Sequence, residues 1–229
     1  MAQEEKLLKD YSDEEKGAYL GAIASIATAD RTASEEELEY ISQLAESADI
    51  SEEQKQAVIR AATELSGEEL TRCLDILKTS DLRFSLITDL MNFGQSDEEY
   101  SEMEKKNVEK IASYLKINQE QFSLLDQFVN KTSNVDIAPE EINNPGFLSS
   151  LGLDEKFKKA GIDWKTVGKG LLGIAGPMIL ASMLSGRGRG ASNALAGGGI
   201  GSLIGGLSGG RGFANSGGLL SRVLTGLKF

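Results

Sequence analysis

A recurring start signal constrains this chain more than any other feature. Ser followed three residues later by Glu or Gln appears as Ser12…Glu15, Ser34…Glu37, Ser51…Gln54, Ser66…Glu69 and Ser101…Glu104. In such a capping box the hydroxyl satisfies the third helical amide, while the Glu or Gln side chain returns to the cap amide. One match means little, but each of these is followed by apolar residues spaced three and four apart. The stripes are Tyr19, Leu20, Ile23, Ile26 and Ala27; Leu38, Ile41, Leu44 and Ala45; Ala57, Val58, Ala61, Ala62 and Leu65; and Leu70, Cys73, Leu74 and Leu77. Three more follow: Leu82, Leu86, Ile87, Leu90 and Met91; Val108, Ile111, Ala112 and Leu115; and Phe122, Leu125, Phe128 and Val129. This period belongs to helices and not to strands, so the expected class is all-α. The connections are short, which favours antiparallel neighbours in one compact helical bundle.

The chain repeats itself at an offset of 67 residues. Asp30–Gln54 falls on Asp97–Gln121 with identities at Asp30/Asp97, Ser34/Ser101, Glu35/Glu102, Glu37/Glu104, Ala45/Ala112, Ile50/Ile117, Glu53/Glu120 and Gln54/Gln121. The unit is helix, acidic loop, capped helix, polar turn and next helix. Two copies suggest a bundle with an internal pseudo-twofold repeat, short of the three needed for a solenoid. In each copy an Asp ends one helix and a Ser four residues later caps the next. Glu35 and Glu37, or Glu102 and Glu104, then stand on a first turn, where the macrodipole favours negative charge. With Asp30 or Asp97 they could converge on a hard cation such as calcium or magnesium. The same residues also serve as caps and first-turn acids for helix stability alone. The EF-hand pattern does not fit, because its sixth position is Glu35 or Glu102 where Gly is needed, and its twelfth is Ile41 or Val108.

Composition narrows the chemistry. There is no histidine, which excludes His-based triads and imidazole metal sites. The single cysteine, Cys73, excludes an internal disulfide and Cys clusters, and its place on an apolar stripe suits a buried structural thiol. No nucleophile and base stand out, so a non-enzymatic protein is expected.

Ile26-Ala-Thr-Ala-Asp30…Ser34-Glu35-Glu36 resembles the first half of the TerB-like fold, named from tellurite-resistance proteins. Gly94-Gln-Ser-Asp97…Ser101-Glu-Met-Glu104-Lys105…Ile111-Ala112-Ser113-Tyr114-Leu115 resembles the second half. The likeness spans roughly residues 10–131. It implies a small all-α bundle with acidic loops suspected of holding a divalent metal, with Asp30, Glu35, Glu36, Asp97 and Glu104 in that role. It also implies a bacterial, stress-related setting. Arg31 and Glu98 stand where the family has Gly after the Asp.

The last third differs in kind. Of 26 glycines, 22 lie from Gly146 onward. Net charge divides at about the same place: −20 over residues 1–155 and +9 from Lys156 to the end, together −11. The expected organisation is an acidic TerB-like domain over 1–131, a linker with a short helix over 132–162, and a basic glycine-rich apolar tail over 163–229. Gly170–Leu184 is uncharged and largely apolar, flanked by Lys165, Lys169, Arg187 and Arg189. Its length falls just short of the roughly 20 residues a free-standing span needs. Gly197, Gly201, Gly205 and Gly209 then recur every fourth residue, the spacing of a glycine zipper. Leu219, Leu220, Val223, Leu224 and Leu227, with Arg222 and Lys228, make an amphipathic basic end. Three readings stand: a membrane hairpin or interfacial anchor, a soluble segment for self-association or a protein partner, and flexible low complexity. Basic flanks suit anionic lipid. Few arginines, sparse aromatics and an acidic whole argue against nucleic acid. Met1–Asp10 has no apolar signal core, so a cytoplasmic acidic domain associated with the inner membrane is expected.

Overall fold

The computed structural model describes residue 8 and residues 10–27, 35–63, 67–96, 102–132 and 146–168. It is all-α, with no strand among the described residues. The helices are α1 (Asp13–Ala27), α2 (Glu35–Ser47), α3 (Glu52–Thr63), α4 (Glu68–Leu77), α5 (Leu82–Ser96), α6 (Glu102–Tyr114) and α7 (Gln119–Thr132). Three short ones follow: α8 (Phe147–Ser150), α9 (Asp154–Lys159) and α10 (Trp164–Gly168).

Helices α1 and α5 are central. Every residue from Lys16 to Ile26 is buried, as is every residue from Leu82 to Met91 except Arg83. Burial on all sides requires a nearly uncharged stretch: Gly17–Ile26 carries no charge, and Leu82–Met91 carries only Arg83 and Asp89. α1 packs chiefly on α3 and α4, whereas α5 packs on α6, α7 and α10; the two groups meet where α1 crosses α5. The close approach of α1 to α4 depends on Gly21. A Cβ there would lie 2.9 Å from Cys73 Sγ, inside van der Waals contact.

Most of the expected stripe residues supply the core; Leu38 and Ala57 are only partly buried, and Leu65 lies outside the described residues. Val108, Ile111, Ala112 and Leu115, for example, are all buried, as are Phe122, Leu125, Phe128 and Val129. Fully burying each large side chain contributes about 1.5–3 kcal/mol. The stripes understate the burial of α5, where Phe84, Ser85, Thr88 and Asp89 are also enclosed. A helix wrapped by neighbours buries the flanks of its stripe as well as the stripe.

The boxes at Ser12 and Ser51 start helices as expected, while Ser34 and Ser101 lie outside the described residues. At Ser12 the box is complete: Glu15 N–H donates to Ser12 Oγ at 3.2 Å, and Ser12 N–H donates to Glu15 Oε2 at 3.0 Å. At Ser51 only half forms, because Gln54 N–H donates to Ser51 Oγ while Ser51 N–H donates to Asp13 at 3.0 Å. Ser66 lies outside the described residues, and α4 starts one residue later than its box implies. The N-cap is Gly67, at φ 77° and without a side-chain cap bond, and α4 begins at Glu68. A further box, with Asn118 in the hydroxyl's place, starts α7: Gln121 N–H donates to Asn118 Oδ1 at 2.9 Å, and Asn118 N–H to Gln121 Oε1 at 3.1 Å.

The ends of α2, α6, α8 and α9 follow one rule. Asp49, Lys116, Gly152 and Gly161 all have positive φ. Around each, two backbone bonds form the Schellman pattern. Lys116 N–H reaches Ser113 O and Ile117 N–H reaches Ala112 O; Gly161 N–H reaches Lys158 O and Ile162 N–H reaches Phe157 O. The residue after each turn is apolar: Ile50, Ile117, Leu153 and Ile162, of which the last three are buried. Asp49 and Lys116 are 67 residues apart, and α2 and α6 have the same bounds under that shift.

Residues 146–168 are part of the same core. The sequence reads 132–162 as a linker with one short helix, yet α8 and α9 fall in that range and α10 beyond it. Leu148, Leu153, Phe157, Ile162 and Val167 join the core cluster. Phe157 meets Phe128 edge to face at 5.9 Å, Ser85 Oγ donates to Thr166 O at 2.7 Å, and Gln121 Nε2 donates to Ala160 O at 3.0 Å.

Candidate functional site

The two acidic loops connect α1 to α2 and α5 to α6. The structure begins α2 at Glu35 and α6 at Glu102, directly after Ser34 and Ser101. Glu35, Glu36 and Glu37 therefore occupy the first turn of α2, and Glu102 and Glu104 that of α6. Their backbones carry the partial positive charge of a helix N-terminus, which suits carboxylates. Asp30 and Asp97 lie outside the described residues, as do the side-chain positions of these five glutamates. Among the described residues no group of three His, Cys, Asp or Glu side chains is placed to hold a metal ion.

What the described residues do show is how the loop-bearing helices are held. Tyr19 of α1 donates its hydroxyl to Asp89 Oδ2 of α5, and both residues are almost wholly buried. A buried carboxylate needs donors to replace lost hydration, so this bond joins the two central helices by necessity as well as by attraction. Lys16, also buried, donates from Nζ to Ala48 O at 3.0 Å, just past the C-terminus of α2. A cation there satisfies an orphan carbonyl and complements the negative end of the dipole. Asp13 of α1 meanwhile accepts from the cap amide of α3. Thus α1 grips both α2 and α3 by polar contacts at its first turns.

A second polar cluster ties α4 to α6. Asp75 Oδ1 accepts from Lys78 Nζ and from Tyr114 Oη, each at 2.7 Å, and Lys78 Nζ stands 3.6 Å from the centroid of the Tyr114 ring. The Lys78 and then the Tyr114 hydrogen bond hold the Asp75 carboxyl below its ordinary range. The Asp75 bond pushes Lys78 up, while partial burial and then the Asp75 bond push Tyr114 up. Glu15 is lowered, first by a Ser80 hydrogen bond, against some desolvation, with Ser12 assisting. Cys73 is inert: burial, followed by the nearby Glu69 charge, pushes its thiol up to about 12, so no appreciable thiolate exists near neutrality.

Sequence reasoning passed over Lys16 and the Tyr19–Asp89 pair. Asp89 left a signal, being the only charge between Phe84 and Phe93. A lone carboxylate in an apolar run calls for a buried donor, but the run does not say which residue supplies it. Gly197, Gly201, Gly205, Gly209, Leu219, Leu220, Val223, Leu224 and Leu227 lie outside the described residues. Among the described residues no helix is long and apolar enough to cross a membrane.

Comparison with curated proteins and with solved structures finds no match. The family model described as Tellurite resistance protein TerB matches residues 9–127, a range that runs from just before α1 into α7 and takes in both acidic loops. That range is more than half of the chain, and the helical architecture within it agrees: the chain belongs to the TerB tellurite-resistance family.

Proposed function

We propose that this chain is a non-enzymatic binding module that responds to a divalent cation and is attached to a membrane through its glycine-rich basic tail. The observation that carries the reading is the division of the chain. An acidic helical unit bearing two like loops is followed by a basic, apolar, glycine-patterned stretch of quite different composition. The loop candidates, Asp30, Glu35, Glu36, Glu37, Asp97, Glu102 and Glu104, are all carboxylates, which suits calcium or magnesium better than a softer ion. Placement of the glutamates on first turns supports the reading, because a cation bound there would relieve repulsion among clustered acids. The tail supports attachment through its uncharged run Gly170–Leu184 with basic flanks, and through a four-residue glycine beat that permits close helix contact in lipid.

Two measurements test it. Fractionation of cells expressing the full chain should place it with membranes and keep it there through a high-salt wash. A chain that stays soluble and monomeric overturns attachment, and one that is soluble but oligomeric favours the alternative, a structural protein whose glycine-patterned tail drives self-assembly or docking. Calorimetry with calcium and with magnesium should show binding that Asp30→Ala plus Asp97→Ala abolishes. Absence of binding at millimolar metal leaves helix capping as the role of the acids.

A further inference from the structure

The last packed segment carries two aromatics that the core encloses only in part. Phe147 of α8 and Trp164 of α10 stack at 6.5 Å between centroids, tilted by 43°, yet both remain only partly buried against the core. Lys158 and Lys159 of α9 are exposed, and neither joins an ion pair among the described residues. α9 packs against α8, and Lys159 precedes Trp164 by five residues, a reach of at most about 18 Å. The two aromatics and two lysines thus lie on three consecutive short helices of one packed segment. Of the acids on α9, Asp154 accepts a hydrogen bond from Ser149 Oγ at 3.0 Å, and Glu155 stands among three lysines. Six residues beyond Trp164 the uncharged run Gly170–Leu184 begins, after Lys165 and Lys169.

Partly exposed aromatics and exposed lysines in the segment from which a chain enters an apolar run match the chemistry of a bilayer interface. Indole and phenyl rings settle at headgroup depth, and ammonium groups meet anionic phosphates. We propose that Phe147, Trp164, Lys158 and Lys159 form a lipid-facing surface that seats the helical unit on an anionic bilayer. This rests on the attachment of the tail proposed above and adds an orientation: the end of the bundle bearing α8–α10 faces the lipid. An attached but freely tumbling domain would leave these four residues in water.

Trp164 is the only tryptophan of the chain, so its emission reports on this surface alone. The full chain is mixed with phosphatidylglycerol–phosphatidylcholine vesicles, with and without brominated acyl chains. The expected result is co-sedimentation, a blue shift of the emission and quenching by the bromolipid, all weaker on pure phosphatidylcholine. Lys158→Glu plus Lys159→Glu should lose most of the quenching while keeping its helical circular dichroism; Lys158→Gln plus Lys159→Gln serves if charge reversal disturbs the fold. Co-sedimentation without a shift or quenching overturns the seated surface and leaves tail attachment standing. Failure to co-sediment overturns both. Full quenching in the substituted chain overturns the part given to the lysines.

Discussion

The Tyr19–Asp89 bond shows how much one side chain can decide in this core. Asp89 is about 1% exposed, so its charge is tolerable only through its donors. Removing the hydroxyl with Tyr19→Phe keeps the ring and its packing but takes away one donor. Urea unfolding should show a loss of about 1–3 kcal/mol, the usual cost of stranding a buried polar group. Asp89→Asn should cost less on the Tyr19→Phe background than on the native one, because the penalised charge is then absent. The Asp75 cluster makes a different, milder prediction, since its members face solvent. Asp75 titrates below its ordinary 3.8, so its contribution is present above that value and is lost as pH falls through the lowered pKa. Lys78 and Tyr114 are raised above 10.5 and 10.0, so theirs is present below those values and is lost only as pH rises past them. Urea midpoints measured from neutral pH down to about pH 2 should therefore fall more steeply for the native chain than for Asp75→Asn, and the gap between the two should narrow on acidification. The Asp75, Lys78 and Tyr114 contacts could not be read from the sequence, because they join positions 39 residues apart. Only the three-residue spacing of Asp75 and Lys78 hinted at half of the cluster.

At the scale of elements, the sequence speaks clearly about beginnings and less clearly about ends. The Ser12 and Ser51 caps are local, so a four-residue pattern suffices to find them. Ser66 lies outside the described residues, and the N-cap of α4 is Gly67, in the left-handed region that glycine adopts without strain. Ends were harder to see, because two of the four Schellman turns use Asp49 and Lys116 where glycine is the usual signal. What holds those two turns is the apolar residue that follows, Ile50 or Ile117, packed against the core. Lys116 at φ 59° carries a strain that Asp49 at φ 52° feels less, since Asp tolerates the left-handed region better than Lys. Lys116→Gly should accordingly raise stability by up to about 1 kcal/mol after the added unfolded-state entropy is counted, and Asp49→Gly by less. Thermal unfolding of the two variants compares them directly. Equal gains, or a loss at Lys116, would place the strain elsewhere.

For the whole molecule, the question is where the folded unit stops. The composition changes near Gly146, and the family match ends at residue 127. A boundary drawn at either place cuts through the core. Leu153, Phe157, Ile162 and Val167 are each about 5% exposed or less, and Phe157 packs on Phe128 of α7. The charge and glycine counts missed this because both report what a segment contains, whereas burial depends on a few apolar residues spaced between short turns. Leu148, Leu153, Phe157 and Ile162 follow one another at intervals of four or five, with a left-handed glycine after α8 and another after α9 to turn the chain back. The chain ending at residue 168 should therefore unfold cooperatively at a higher temperature than the chain ending at residue 150. Truncation at 150 strips four buried apolar side chains and leaves Phe128 and Ser85 without Phe157 and Thr166. Phe157→Ala in the full chain isolates the largest of these losses and should cost about 3–5 kcal/mol, the range for a buried aromatic whose cavity cannot close. If α8–α10 were an accessory to a bundle complete at α7, the two truncated chains would melt together and Phe157→Ala would be nearly silent. The same comparison bears on the proposed orientation at a membrane. A tail that leaves a segment built into the core transmits its tilt to the bundle, whereas a tail that leaves a loose linker transmits none.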